Sequence, residues 1–167
     1  MPLLTLSIGS NIDPQPNVLL VMKILRRKFP DLICSPVYES ETVGFDGDNF
    51  LNLVVAANTA EPLGDLSRYL KALEDDLGRD RSQPTFSGRT MDVDILTYGD
   101  LCGEQDGIQL PRAEILHNAF VLRPLADLLP DEVHPVSQKS YQQLWSEFDN
   151  PQQKLWQVDF DWQDGTD

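Results

Sequence analysis

The stretch 89-RTMDVDILTYG-99 decides how the rest of the chain is read. Met91, Val93 and Ile95 alternate with Asp92 and Asp94, the period of two that marks a strand with one buried face. Side chains at i and i+2 share a face. The two aspartates therefore project side by side, opposite the apolar set. Like charges so placed repel unless something positive lies between them. One face of this strand is built for a core, and the other asks for a cation.

Working outward, the segments before it alternate between strand and helix signals. Residues 3–8, "LLTLSI", set Leu4, Leu6 and Ile8 against Thr5 and Ser7. After the turn "GSNIDPQP", a helix opens at Asp13-Pro14 or from Asn11, carries Val18, Val21, Met22, Leu25 and Phe29 at helical spacing, and stops at Pro30. "LICSPVYES" reads as a second strand and "FLNLVVAANT" as a third, with the loop "ETVGFDGDN" between them. A second helix opens near Pro62 and Asp65, presents Leu66, Tyr69, Leu70, Leu73 and Leu77, and ends at Gly78. The order β-α-β-β-α-β over residues 3–98 predicts an α+β, ferredoxin-like core: a mostly antiparallel sheet with helices on one face.

C-terminal additions follow. They are a short strand near "GIQLP", a helix "AFVLRPLADLLP" with Asn118 as its cap, a helix "SYQQLWSEF" and a late strand "KLWQVDF". Residues 1–167 read as one domain, with the acidic end 159–167 expected to fray.

The 167 residues carry 27 Asp and Glu against 13 Lys and Arg, a net charge of −14. Such a surface argues against nucleic acid and anionic membrane as partners. No segment approaches the roughly 20 apolar residues that span a bilayer. Cys34 and Cys102 have no ligand spacing and read as free thiols of a reducing compartment, so a cytoplasmic setting is the simplest expectation. A monomer is expected. His134, in "VHP", reads as a surface turn residue, and His117 as a cap, a solvated side chain or a nucleotide contact.

The few cations are not evenly spread. Arg79, Arg81 and Arg89 fall within eleven positions, immediately before the aspartate pair. Mg²⁺ takes hard oxygen ligands and is typically held by one or two carboxylates plus substrate phosphates. Arginine forks suit phosphate oxygens. Aspartates and arginines together make a kit for a metal and a polyphosphate. No P-loop, HExxH or nucleophile elbow is present. The blander reading is an α+β domain whose acidic strand face merely binds Ca²⁺ weakly.

"GRDR" followed by "GRTMDVDIL" resembles the signature of the 6-hydroxymethyl-7,8-dihydropterin pyrophosphokinase family. The likeness extends from "LSIGSN" through "VYES", Gly44, "FLN" and "FVLRPLADLLPDEVHP", about residues 4–135. It implies transfer of pyrophosphate from ATP to the pterin hydroxymethyl group, in folate biosynthesis. It implies two Mg²⁺ ions on Asp92 and Asp94, with Arg79 and Arg89 stabilising the transferred group. Thr42, Val43, Gly44, Phe50, Asn52 and Phe120 would hold the pterin, Phe50 and Phe120 sandwiching its ring. Phe86 lies where the family often has Trp. Glu74, Arg81, Arg112 and Asn118 would serve the nucleotide.

The loops 42–49 and 80–88 are expected to close over the substrates. The family commonly carries Pro-His where this chain has Pro111-Arg112, and a basic residue where it has Asn118. The alternatives are a paralogue using another pterin-like substrate or nucleotide, or a silent binding protein.

Overall fold

A computed structural model of the chain describes residues 1–11, 13–41, 49–78 and 91–162. The first strand, β1 (Leu3–Ser10), runs into α1 (Pro14–Lys28), which has Pro in its first turn and Arg26, Arg27 and Lys28 in its last, where cations meet the negative helix end. Then come β2 (Ile33–Cys34), β3 (Val37–Ser40), β4 (Phe50–Asn58), α2 (Leu63–Gly78) and β5 (Asp92–Tyr98). A hairpin of β6 (Gly103–Gln105) and β7 (Ile108–Leu110) leads to α3 (Glu114–His117), α4 (Ala119–Leu128), α5 (Tyr141–Glu147) and β8 (Leu155–Val158).

The sheet order is β5-β1-β4-β3-β8, with β2 also pairing β4, and every pairing is antiparallel. The α+β expectation holds. One detail differs: the expected second strand is two. Pro36 has no N–H to give the ladder. Ser35 fills the gap, its N–H donating to the Val54 carbonyl while its Oγ accepts from the Val54 N–H.

The period-two pattern is used on both faces. Leu4, Leu6, Ile8, Leu53, Val55, Val93 and Ile95 form one core with Val18, Val21, Met22 and Leu25 of α1 and Leu63, Leu66, Leu70 and Leu73 of α2. On the other face Val54 and Leu96 meet Ile115, Val121, Leu122, Leu125 and Tyr141 of the C-terminal helices. The C-terminal additions thus supply a third layer. Leu96 joins it by the same alternation that sets Asp92 and Asp94 opposite Val93 and Ile95, and the β1–β5 register shifts between Thr5 and Leu6.

Within the acidic end 159–167, the Asp161 carbonyl accepts from Gln15 and Arg26 lies 5.4 Å over the Trp162 ring, so residues 161 and 162 touch α1. Residues 163–167 lie outside the described residues. His134 is 2% exposed, not a surface residue. Its Nδ1 accepts from the backbone N–H groups of Val136 and Ser137, which ties the turn shut from inside. Among the described residues no helix is long and apolar enough to cross a membrane.

Candidate active site

The C-terminal helices cover only part of the second face. Toward the end of β1 and the start of β4 and β5, the same face carries Ser7, Gly9, Ser40, Asn52, Asp92 and Asp94 in place of large apolar groups, with Phe50 at its rim. The register aligns them: Gly9 lies between Asp92 and Asn52, Ser7 beside Asp94, and Ser40 beside Phe50. The small side chains leave a cavity of about 330 Å³, roofed from α3 and α4 by Arg112, Glu114, Asn118, Phe120 and Val121. Volumes of this order hold small heterocyclic ligands. Gly9 leaves room for Asn52, since a Cβ there would lie 3.2 Å from the Asn52 Oδ1 and press on its amide.

Each wall orients a group. Asn52 is buried and donates from Nδ2 to the Ser40 Oγ at 2.8 Å, which fixes the direction of its amide. Asp92 and Asp94 lie half-buried on the floor, on one face as the alternation requires. The Arg112 guanidinium reaches Asp94 at 3.7 Å and is held by Glu114 at 2.5 Å, while its backbone N–H donates to the Leu96 carbonyl of β5. Phe50 and Phe120 line the cavity from β4 and α4.

Beneath Asn52 in the register, Tyr38 gives its hydroxyl hydrogen to Asp127 and accepts from Arg123 at 3.0 Å. Burial, with the Asp127 carboxylate, pushes the Tyr38 hydroxyl above its ordinary pKa. This staple joins β3 to α4.

Among the described residues, the cavity lining carries four carboxylates (Glu41, Asp92, Asp94 and Glu114) against one guanidinium, Arg112. Such a lining draws cations. No group of three or more His, Cys, Asp or Glu among the described residues could hold a metal alone. A hard cation here would rest on Asp92 and Asp94 and complete its shell with water and a ligand's oxygens, the usual habit of Mg²⁺.

Of the residues singled out in the sequence, Phe50, Asn52, Asp92, Asp94, Arg112, Asn118 and Phe120 meet at this cavity. Glu74 does not line it. From α2 it accepts the Val93 N–H at 2.6 Å, between the two aspartates on the outer edge of β5. His117 is exposed and also lies off the lining. Thr42, Val43, Gly44, Arg79, Arg81, Phe86 and Arg89, with the loops 42–48 and 80–88, lie outside the described residues.

Ser7, Ser40, Glu41 and Glu114 were not foreseen. Ser7 and Ser40 were legible in principle, since they share strand parity with Asp94 and Asn52. Glu114 gave no signal, because it enters through a turn of α3.

Residues 5–130 match the family model for 7,8-dihydro-6-hydroxymethylpterin-pyrophosphokinase. The chain is 34% identical over 130 residues to the 2-amino-4-hydroxy-6-hydroxymethyldihydropteridine pyrophosphokinase of Pseudomonas aeruginosa, covering 75% of this chain and 79% of that one. It is 32% identical over 134 residues to the folic acid synthesis protein FOL1 of Dictyostelium discoideum, covering 78% of this chain. The chain spans about a fifth of the length of that larger protein (20%) and of its Schizosaccharomyces pombe counterpart (22%). Among solved structures, Plasmodium falciparum HPPK-DHPS with pterin and p-hydroxybenzoate superposes over 87% of this chain and 43% of its own, with a TM-score of 0.63 at 14% identity. That likeness concerns the fold.

Proposed function

The chain belongs to the 7,8-dihydro-6-hydroxymethylpterin-pyrophosphokinase family, and from that premise we propose that it transfers pyrophosphate from ATP to 6-hydroxymethyl-7,8-dihydropterin, a step of folate synthesis. The observation that carries the reading is the meeting, in one cavity, of a carboxylate pair with two phenylalanines and an oriented amide. Aromatic faces suit a flat heterocycle. An amide both donates and accepts, as a pterin edge requires.

In the proposed reaction the substrate hydroxyl attacks the β-phosphorus of ATP in line. The new bond is O–Pβ, the bond broken joins Pβ to the oxygen bridging it to Pα, the hydroxyl proton passes to solvent, and AMP leaves. Phosphoryl chemistry of this kind asks a protein mainly for positioning and charge stabilisation. Asp92 and Asp94 would hold two Mg²⁺ ions, which when bound neutralise charge on the polyphosphate. Asn52 orients the pterin, and Phe50 and Phe120 flank its ring. Arg112 stands at the phosphate side, poised by Glu114. Arg79 and Arg89 are assigned the transferred group, and Arg81, Glu74 and Asn118 the nucleotide, on the family likeness. Free thiols at Cys34 and Cys102 suit a cytoplasmic setting.

The experiment is AMP release from ATP and Mg²⁺, with and without the dihydropterin, for wild type and Asp94→Ala. Pterin-dependent AMP that falls by at least about a hundredfold in the variant is expected. Pterin binding without AMP, from ATP or from other nucleoside triphosphates, would replace this reading with a silent binder. AMP from another nucleotide only would make the chain a paralogue of altered donor, consistent with Arg112 being engaged by two carboxylates.

A further inference from the structure

The α3–α4 elbow delivers Asn118 and Phe120 to the cavity, and its geometry is set from far away. Asn118 occupies the N-cap position of α4 with extended backbone (φ −118, ψ 118), yet its side chain makes no capping hydrogen bond. The capping is done by Gln153, 34 residues beyond Ala119. Its Oε1 accepts from the Ala119 N–H at 2.6 Å, and its Nε2 donates to the His117 carbonyl at 2.8 Å. One amide thus grips the backbone on both sides of Asn118. The Asn118 side chain, relieved of capping, lines the cavity instead. The same segment braces the opposite wall: the Lys154 carbonyl accepts from the Glu41 N–H at 3.3 Å, and Leu155 pairs with Ser40. The family match ends at residue 130, so this brace lies outside it.

We propose that Gln153 is a positioning residue for substrate binding, holding the α3–α4 elbow so that Asn118 and Phe120 face the ligands. The inference rests on the proposed function, from which those two residues take their roles.

The test uses the full chain with Gln153→Met, which keeps length and loses both hydrogen bonds, and Gln153→Glu, which keeps the acceptor at a helix N-terminus where an anion is welcome. Ser140→Ala removes the side-chain cap of α5, remote in role from the cavity, and controls for a general loss of stability. Dihydropterin binding is read by its own fluorescence with Mg²⁺ and a non-hydrolysable ATP analogue, alongside kcat, KM and the unfolding midpoint. Gln153→Met should raise the pterin Kd and KM about three- to tenfold, the effect of losing one or two ordinary hydrogen bonds. Its kcat should stay within about twofold, and Gln153→Glu should recover part of the affinity.

An unchanged Kd in Gln153→Met, or a rise no greater than that of Ser140→Ala, would overturn the proposal while leaving the function standing. Absence of pterin binding in the wild type would instead overturn the function, and this inference with it.

Discussion

Asn118 has the side chain that best caps a helix, and it stands at the cap position without capping. Local sequence announces the position but not the use, because the competing amide arrives from Gln153. His134 makes the same point. "VHP" correctly reads as a turn, but nothing local says that the ring is buried with its edge to Tyr141. Asp92 and Asp94 were legible, since their placement depends on strand parity alone.

The burial of His134 carries a prediction. Desolvation holds the imidazole below its ordinary pKa of 6.5, and its Nδ1 already accepts two backbone N–H groups. The neutral form is thus native. Between the folded and unfolded pKa the unfolded chain binds more protons, so stability rises with pH there. The contribution is complete above about pH 6.5 and is lost as pH falls below it. Urea midpoints measured from about pH 8 down to about pH 5 should decline through this window, and His134→Gln should flatten the decline. The same slope in both proteins would show that other groups cause it.

Elements were legible where their signal is periodic and short-range. The apolar stripe of α2 matched its buried face, and Pro30 ended α1 as expected. The break between β2 and β3 is hidden in the sequence, because Pro36 lies inside a run that otherwise favours a strand. What fastens one element to the next was hidden too. Tyr38, Arg123 and Asp127 join β3 to α4, and Arg123 also lies 5.3 Å over the Trp145 ring of α5, so a single guanidinium connects three elements. Tyr38→Phe would remove the hydroxyl that donates to Asp127 and accepts from Arg123, leaving those two side chains their mutual ion pair at 3.4 Å, in a site where Tyr38 is only 3% exposed. A loss of about 0.5–1.5 kcal/mol in denaturant unfolding is expected, the net worth of an ordinary hydrogen bond whose partners keep their ion pair. A loss well under about 0.5 kcal/mol would mean that water replaces the hydroxyl and that α4 is held by its apolar face alone.

At the scale of the molecule one sheet serves two cores. β4 reads as a strand from its β-branched, apolar composition, but both of its faces are apolar over Leu53–Ala57, so parity cannot say which helices cover which side. That assignment depends on connections after residue 100 that no local pattern encodes. The consequence is testable with two substitutions of equal chemistry. Leu53 is fully buried in the α1–α2 core, and Leu122, 1% exposed, is buried in the opposite core on α4 itself. Leu53→Ala and Leu122→Ala should each cost about 2–5 kcal/mol, the usual range for a buried leucine. Because the sheet is shared, each variant should still unfold in one transition, with near- and far-ultraviolet dichroism coinciding. Ligand affinity should separate them. Leu53→Ala leaves the cavity walls intact and should bind pterin as the wild type does. Leu122→Ala loosens the helix that carries Phe120 and follows Asn118, and should bind several-fold more weakly under conditions where both are folded. Equal affinities would mean that the elbow is held without the α4 core, chiefly by Gln153; equal losses would mean that the two cores move together and that the cavity senses the whole sheet.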